Sequence, residues 1–163
     1  MPTTDGGGDA PPVGNVSFKT DLMPKFAMAC GLSASCHQDQ VTDPKVQKVF
    51  LGCIMSASNS CTFATAGDGA PTVYMGIVNK PSQEDTTMSY VKPSDPNNSY
   101  LLHKLEGTQG TLTCVPVSMD PIVANAGGGR PPCGALMPDG NTMPDAVLPG
   151  LVRAWITQGA PNN

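Results

Sequence analysis

Apolar residues recur at four-residue steps in the run VSFKTDLMPKFAMAC, where Phe18, Leu22, Phe26 and Cys30 fall on one helical face. A short helix is therefore expected to deliver Cys30 into the next loop, with Thr20 or Asp21 as its N-cap. A second amphipathic stretch, Lys45 to Ser56, places Val46, Val49, Phe50, Cys53 and Ile54 together after Asp43-Pro44, a cap followed by a first-turn proline. Residues 71–78, PTVYMGIV, fit either a helix or a strand, because periodicity does not separate the two in a short apolar run. The segment from Pro96 to Gly107 reads as a short helix capped by Asn97 or Asn98, stopped by Gly107, and turned inward at Tyr100, Leu101 and Leu105. Residues 108–135 hold no sustained period and form a long loop in this reading. The last element has the widest stripe, Val147, Leu148, Leu151, Val152, Trp155 and Ile156, with Gly159 and Pro161 as stops and a start near Pro149. The pattern predicts a mainly α chain.

Composition adds the loops and removes several partners. The 163 residues are near the commonest size of a single domain, and 18 glycines with 17 prolines exceed the average share. Residues 16–163 are read as that domain, after a Gly/Pro-rich linker at 1–15 that includes TTDGGGDAPPVG. Only 13% of residues are charged and the formal net charge is -4, which leaves no basic stripe for nucleic acid or anionic membrane. No apolar run approaches the roughly 20 residues of a transmembrane helix. Residues 1–15 lack the basic and apolar regions of a signal peptide, so Met1 is expected to stand in place of a removed export or lipoprotein signal.

Six cysteines accompany only two histidines. Cys30 with Cys36, Cys53 with Cys61, and Cys114 with Cys133 are neighbours in chain order, and an even count suits a disulfide framework in an oxidising compartment. Sequential pairing is the simplest of many connectivities. The protein is therefore placed in the periplasm or outside the cell.

The dipeptide Cys36-His37 carries the most chemistry. In c-type haem attachment a cysteine thiol adds to a haem vinyl group while the adjacent histidine imidazole binds the iron. The usual first cysteine would fall at Ser33; the nearest candidate is Cys30, giving C-x5-C-H. A hundred residues later, CGALMPDGNTMP offers Met137 as a thioether ligand, held by Pro138 in an extended loop, with Met143 in reserve. A histidine–methionine pair would raise the reduction potential and leave the iron no open position.

On these residues the chain resembles the c-type cytochrome domains of myxobacterial and planctomycete lipoproteins. The matching pieces are SFKTDLMPKFAMACGLSASCH at 17–37, SDPNNSYLLHKLEGTQ at 94–109, and CGALMPDG with VRAWITQGAPNN within 133–163. The resemblance implies a small, mainly helical domain with one haem, His37 and Met137 as its axial ligands, redox proteins as partners, and electron transfer rather than catalysis. A lipid anchor upstream of the linker fits it. An insertion at about 38–70, with its own cysteine pair, has no counterpart there.

Other readings stay open. Cys30 is either a second haem anchor or the disulfide partner of Cys36; in the latter case the chain is a haem-free, disulfide-stapled interaction module on a degenerate cytochrome scaffold. His37 with the nine methionines also has the donor chemistry for copper(I). His103, beside Lys104 on a short helix, reads as a hydrogen-bonded or solvated residue. The glycine triplets lack phosphate-loop spacing, and no nucleophile elbow, metalloprotease helix or paired-carboxylate motif is present. Replacing Ser33 with cysteine in a host competent for cytochrome c maturation tests the spacing. A large gain in covalent haem would identify the native spacing as a poor attachment substrate.

Overall fold

A computed structural model describes residues 14–30, 51, 70–114, 133, 136–137 and 146–163. Cys36, His37, Cys53, Cys61, Met143 and the loop 115–132 lie outside the described residues, as does the expected helix at 45–56 apart from Leu51.

The first helix opens as a wide π turn, Phe18–Leu22, and runs into α1, Met23–Ala29. Its cap is Ser17, not Thr20 or Asp21: the Ser17 backbone is extended, and its hydroxyl accepts the Thr20 N–H at 3.3 Å. Asp21 instead reaches back to accept the Ser17 N–H at 2.7 Å, completing a reciprocal cap. The widened turn, in which the Leu22 N–H bonds the Ser17 carbonyl, brings this residue rather than the third helical one beneath the cap. The predicted face holds: Phe18, Leu22, Phe26 and Cys30 are all buried.

The ambiguous apolar run resolves as a helix, α2, Ala70–Ile77. It then feeds an irregular segment that doubles back through isolated bridges, Val78 to Val91 and Pro81 to Ser89. Among the described residues the regular structure is helical and no strand forms. No helix among them is long and apolar enough to cross a membrane.

A 3-10 turn, Pro96–Asn98, precedes α3, Tyr100–Glu106. The expected asparagine caps lie inside the turn, so Ser99 becomes the cap, yet its hydroxyl is engaged with Lys92 and Asp95. The helix start is satisfied from outside instead. The N–H groups of Tyr100 and Leu101 donate to the Ser89 and Tyr90 carbonyls at 2.9 Å each. At the other end Gly107 adopts the left-handed conformation, φ 72°, as a C-cap requires. A further 3-10 turn, Gln109–Thr111, follows.

The last helix, α4, spans Leu148–Thr157 and buries Leu148, Val152, Trp155 and Ile156. Val147 is exposed, contrary to the sequence stripe, because it precedes the helix as its N-cap and its direction is not set by the helical period. Trp155 is fully buried and stacks on Phe18 with ring centroids 5.1 Å apart. Phe26 and Tyr74 meet Phe18 edge-on, so residues from the first helix, α2 and α4 share one aromatic cluster.

Polar bonds close the two ends of the chain over this cluster. Lys19 N–H donates to the Asn163 carbonyl at 2.9 Å, Phe18 N–H to the Asn163 side-chain oxygen at 2.9 Å, and Val16 N–H to Gln158 at 3.0 Å. Arg153 on α4 grips Glu106 on α3 through two bonds of 2.9 and 2.7 Å, a bidentate pair.

Phe18→Ala is expected to destabilise the fold by about 3–5 kcal/mol, because it opens a cavity where three aromatic neighbours meet. Denaturant unfolding followed by the fluorescence of Trp155 measures it directly.

Candidate functional site

Two of the sequence candidates meet. Cys30 at the end of α1 and Met137, from near the other end of the chain, line the same cleft together with Leu51, Gln83, Glu84, Tyr90, Tyr100, Leu101, Lys104 and Leu105. The cavity itself holds about 80 Å3 and opens to solvent. That is below the roughly 300–1,000 Å3 of a small-molecule or cofactor pocket.

Its walls are sorted by chemistry. Leu51, Leu101 and Leu105 are buried and apolar, and they belong to the main core. Tyr90 and Tyr100 pack edge to face, with centroids 6.2 Å apart. Polar groups gather on one side, where the Tyr100 hydroxyl meets the Glu84 carboxylate and Lys104 Nζ lies 3.9 Å from that same carboxylate. Lys104 also lies over the Tyr100 ring, 5.9 Å from its centroid.

Lys104 is buried for a lysine, with a side-chain exposure of 7%. Its ammonium donates to the Cys133 carbonyl at 2.7 Å, and the Tyr100 hydroxyl approaches the same oxygen at 3.0 Å. Cys133 is fixed in turn by its disulfide to Cys114, with the Cα atoms 5.2 Å apart. The expected pairing of these two cysteines is thus present. Closing this loop stabilises the fold by about 3 kcal/mol, chiefly through the unfolded chain.

Met137 reaches the cleft by a backbone route. Its N–H donates to the Lys104 carbonyl at 3.0 Å, and Leu136 beside it rests against the C-cap of α3, where a Cβ on Gly107 would lie 3.2 Å from Leu136 Cδ1. A glycine at 107 thus serves twice, in its left-handed turn and in this close approach.

His103 does not face a ligand. Its Nδ1 lies 2.7 Å from the Thr108 hydroxyl and its Nε2 is 2.9 Å from the Asn97 carbonyl. A carbonyl only accepts, so Nε2 carries the proton and Nδ1 accepts from Thr108. Both nitrogens are therefore used within α3 and its flanks.

Sequence reasoning missed the polar side of the cleft. Glu84 and Lys104 belong to no motif, and Leu51 falls outside the helical face predicted for 45–56. Only the inward placement of Tyr100, Leu101 and Leu105 was available from periodicity. Cys36 and His37 lie outside the described residues. Among the described residues, no group of three or more His, Cys, Asp and Glu side chains is arranged to hold a metal ion. Comparison with protein-family models, curated proteins and solved structures gave no match.

Burial pushes the Tyr90 phenol above its ordinary value near 10.0; a hydrogen bond from the Gln83 backbone works against the rise, and the Glu84 charge adds to it. A phenol whose folded value is raised keeps its full contribution to stability below about pH 10 and loses it as pH climbs through the folded value. Tyr90→Phe should therefore lose less stability than the parent protein between roughly pH 9 and pH 11. Denaturant midpoints at the two pH values give the comparison.

Proposed function

We propose that the chain is an exported, c-type cytochrome-like carrier of single electrons, with one haem seated in the cleft that Cys30 and Met137 share. The observation that carries this reading is their convergence: a cysteine and a methionine from near opposite ends of the chain line one cleft. The lining is of the kind that suits the group: leucines and tyrosines suit a porphyrin face, a cysteine suits covalent attachment, and a methionine sulfur suits iron. The cavity of about 80 Å3 is smaller than a haem, so binding would have to widen the cleft. Cys36 and His37 lie outside the described residues.

A haem bound there supplies a one-electron iron couple. The chain's own residues would do the rest. Cys36 would anchor the group covalently, with Cys30 as second anchor or as the disulfide partner of Cys36. His37 and Met137 would supply the iron ligands, a pair that raises the reduction potential and leaves no open position for substrate. Leu51, Leu101 and Leu105 keep water from the buried face. Redox proteins are the partners of such a carrier, and reduction by one is balanced by oxidation by the next.

The Cys114–Cys133 disulfide supports a periplasmic or extracellular location, since such bonds persist in oxidising compartments. The Gly/Pro-rich residues before the domain fit a tether to a lipid anchor.

Intact mass under denaturing, non-reducing conditions decides the matter, using protein exported by a host competent for cytochrome c maturation. The expected mass is that of the polypeptide plus one covalent haem, lost when Cys30 and Cys36 are both replaced by serine. A mass showing all six cysteines in disulfides would overturn covalent attachment and favour the haem-free interaction module.

A further inference from the structure

We infer that Lys104 is the positioning residue that holds Met137 at the cleft, gripping the segment from Cys133 to Met137 at both ends. The role rests on the electron-carrier reading for its purpose, and on geometry for its existence. At one end the Lys104 ammonium donates to the Cys133 carbonyl at 2.7 Å; at the other, the Lys104 backbone carbonyl accepts the Met137 N–H at 3.0 Å. One helical residue thus sets where both ends of a five-residue segment lie.

The ammonium is the costly half of this clamp. Lys104 is 6% exposed, and a cation is rarely buried so far unless its partners require it there. A methionine or leucine at this position of α3 would pack the cleft wall and continue the helix equally well. What it could not do is donate to a carbonyl that belongs to a different part of the chain. The disulfide fixes the Cys133 side chain, and the ammonium fixes its peptide plane, from which the chain sets out towards Met137. Glu84 balances the charge at 3.9 Å, and the Tyr100 hydroxyl approaches the same carbonyl beside the ammonium.

A side chain held by its neighbours in this way samples few open states, whereas loss of one charge-assisted hydrogen bond raises the open fraction by about tenfold. Met137 is half-buried, so peroxide already reaches part of it, and it is expected to oxidise up to about tenfold faster in Lys104→Met than in the parent protein. The buried core residue Met23 serves as the internal reference, because it reports opening of the whole fold. Lys104→Arg, which keeps a cationic donor, should restore most of the protection. Should Lys104→Met fail to fold because Glu84 is left unbalanced, the neutral pair Glu84→Gln with Lys104→Met takes its place.

A selective rise at Met137 supports the clamp. An unchanged rate overturns it, and so does a parallel rise at Met23 and Met137, which would make Lys104 a residue of general stability. The haem-loaded protein gives a second readout: the variant should keep the covalent haem mass yet lose the ferric absorption signature of a thioether-ligated iron. Retention of that signature overturns the clamp. Protein that carries no haem but shows the selective oxidation leaves the clamp standing and overturns the electron-carrier reading, so the two failures are distinguishable.

Discussion

The stack of Phe18 on Trp155 is the contact on which the rest of the structure depends. It joins the first helix to the last, and Phe26 and Tyr74 complete the cluster from α1 and α2. The chain is only 5% aromatic, so much of its large-ring surface is committed here. Burial of each ring contributes about 1.5–3 kcal/mol, and the ring-to-ring geometry adds roughly 0.5–1.5 kcal/mol per pair. The terminal hydrogen bonds from Val16, Phe18 and Lys19 to Gln158 and Asn163 follow from it, because rings in contact bring the backbone ends alongside each other.

Helix α3 translates that core into a site. Leu101, Leu102 and Leu105 face the main cluster, while Tyr100 belongs to a smaller one with the disulfide cysteines 114 and 133. One seven-residue helix thus does three things: Leu101, Leu102 and Leu105 close the core, Tyr100, Leu101, Lys104 and Leu105 line the cleft, and Lys104 bonds the Cys133 carbonyl. Such economy requires that the helix start be satisfied without a side-chain cap of its own, and the carbonyls of Ser89 and Tyr90 accomplish this. The exposed Arg153–Glu106 pair adds orientation between α3 and α4 more than stability, since solvent screens it.

The disulfide and the buried lysine both act on Cys133. One is a cross-link and the other a charge-assisted bond from a helix. The carbonyl of Cys133 is where the two meet, and Met137 lies four residues beyond it.

Periodicity by itself determined the face of the first helix, because four-residue apolar steps admit one solvent-free side: Phe18, Leu22, Phe26 and Cys30 are all buried. In the last helix it placed Leu148, Val152, Trp155 and Ile156 correctly, while Leu151 is half-buried and Val147 is exposed. Gly107 was legible for a local reason, since a left-handed C-cap favours the residue without a Cβ. The pairing of Cys114 with Cys133 agrees with the simplest reading of chain order. The N-caps were not legible, because Ser17 became a cap through a widened turn, and at Ser99 the helix N–H groups are satisfied by the Ser89 and Tyr90 carbonyls. Nor was the helical state of residues 71–77, where the short apolar run fits both periods. The cleft was the decision of the tertiary structure alone. Cys30, Glu84, Lys104 and Met137 stand on separate segments, and only packing of α1 and α3 against the shared core brings a cysteine, a carboxylate, an ammonium and a thioether to one cleft.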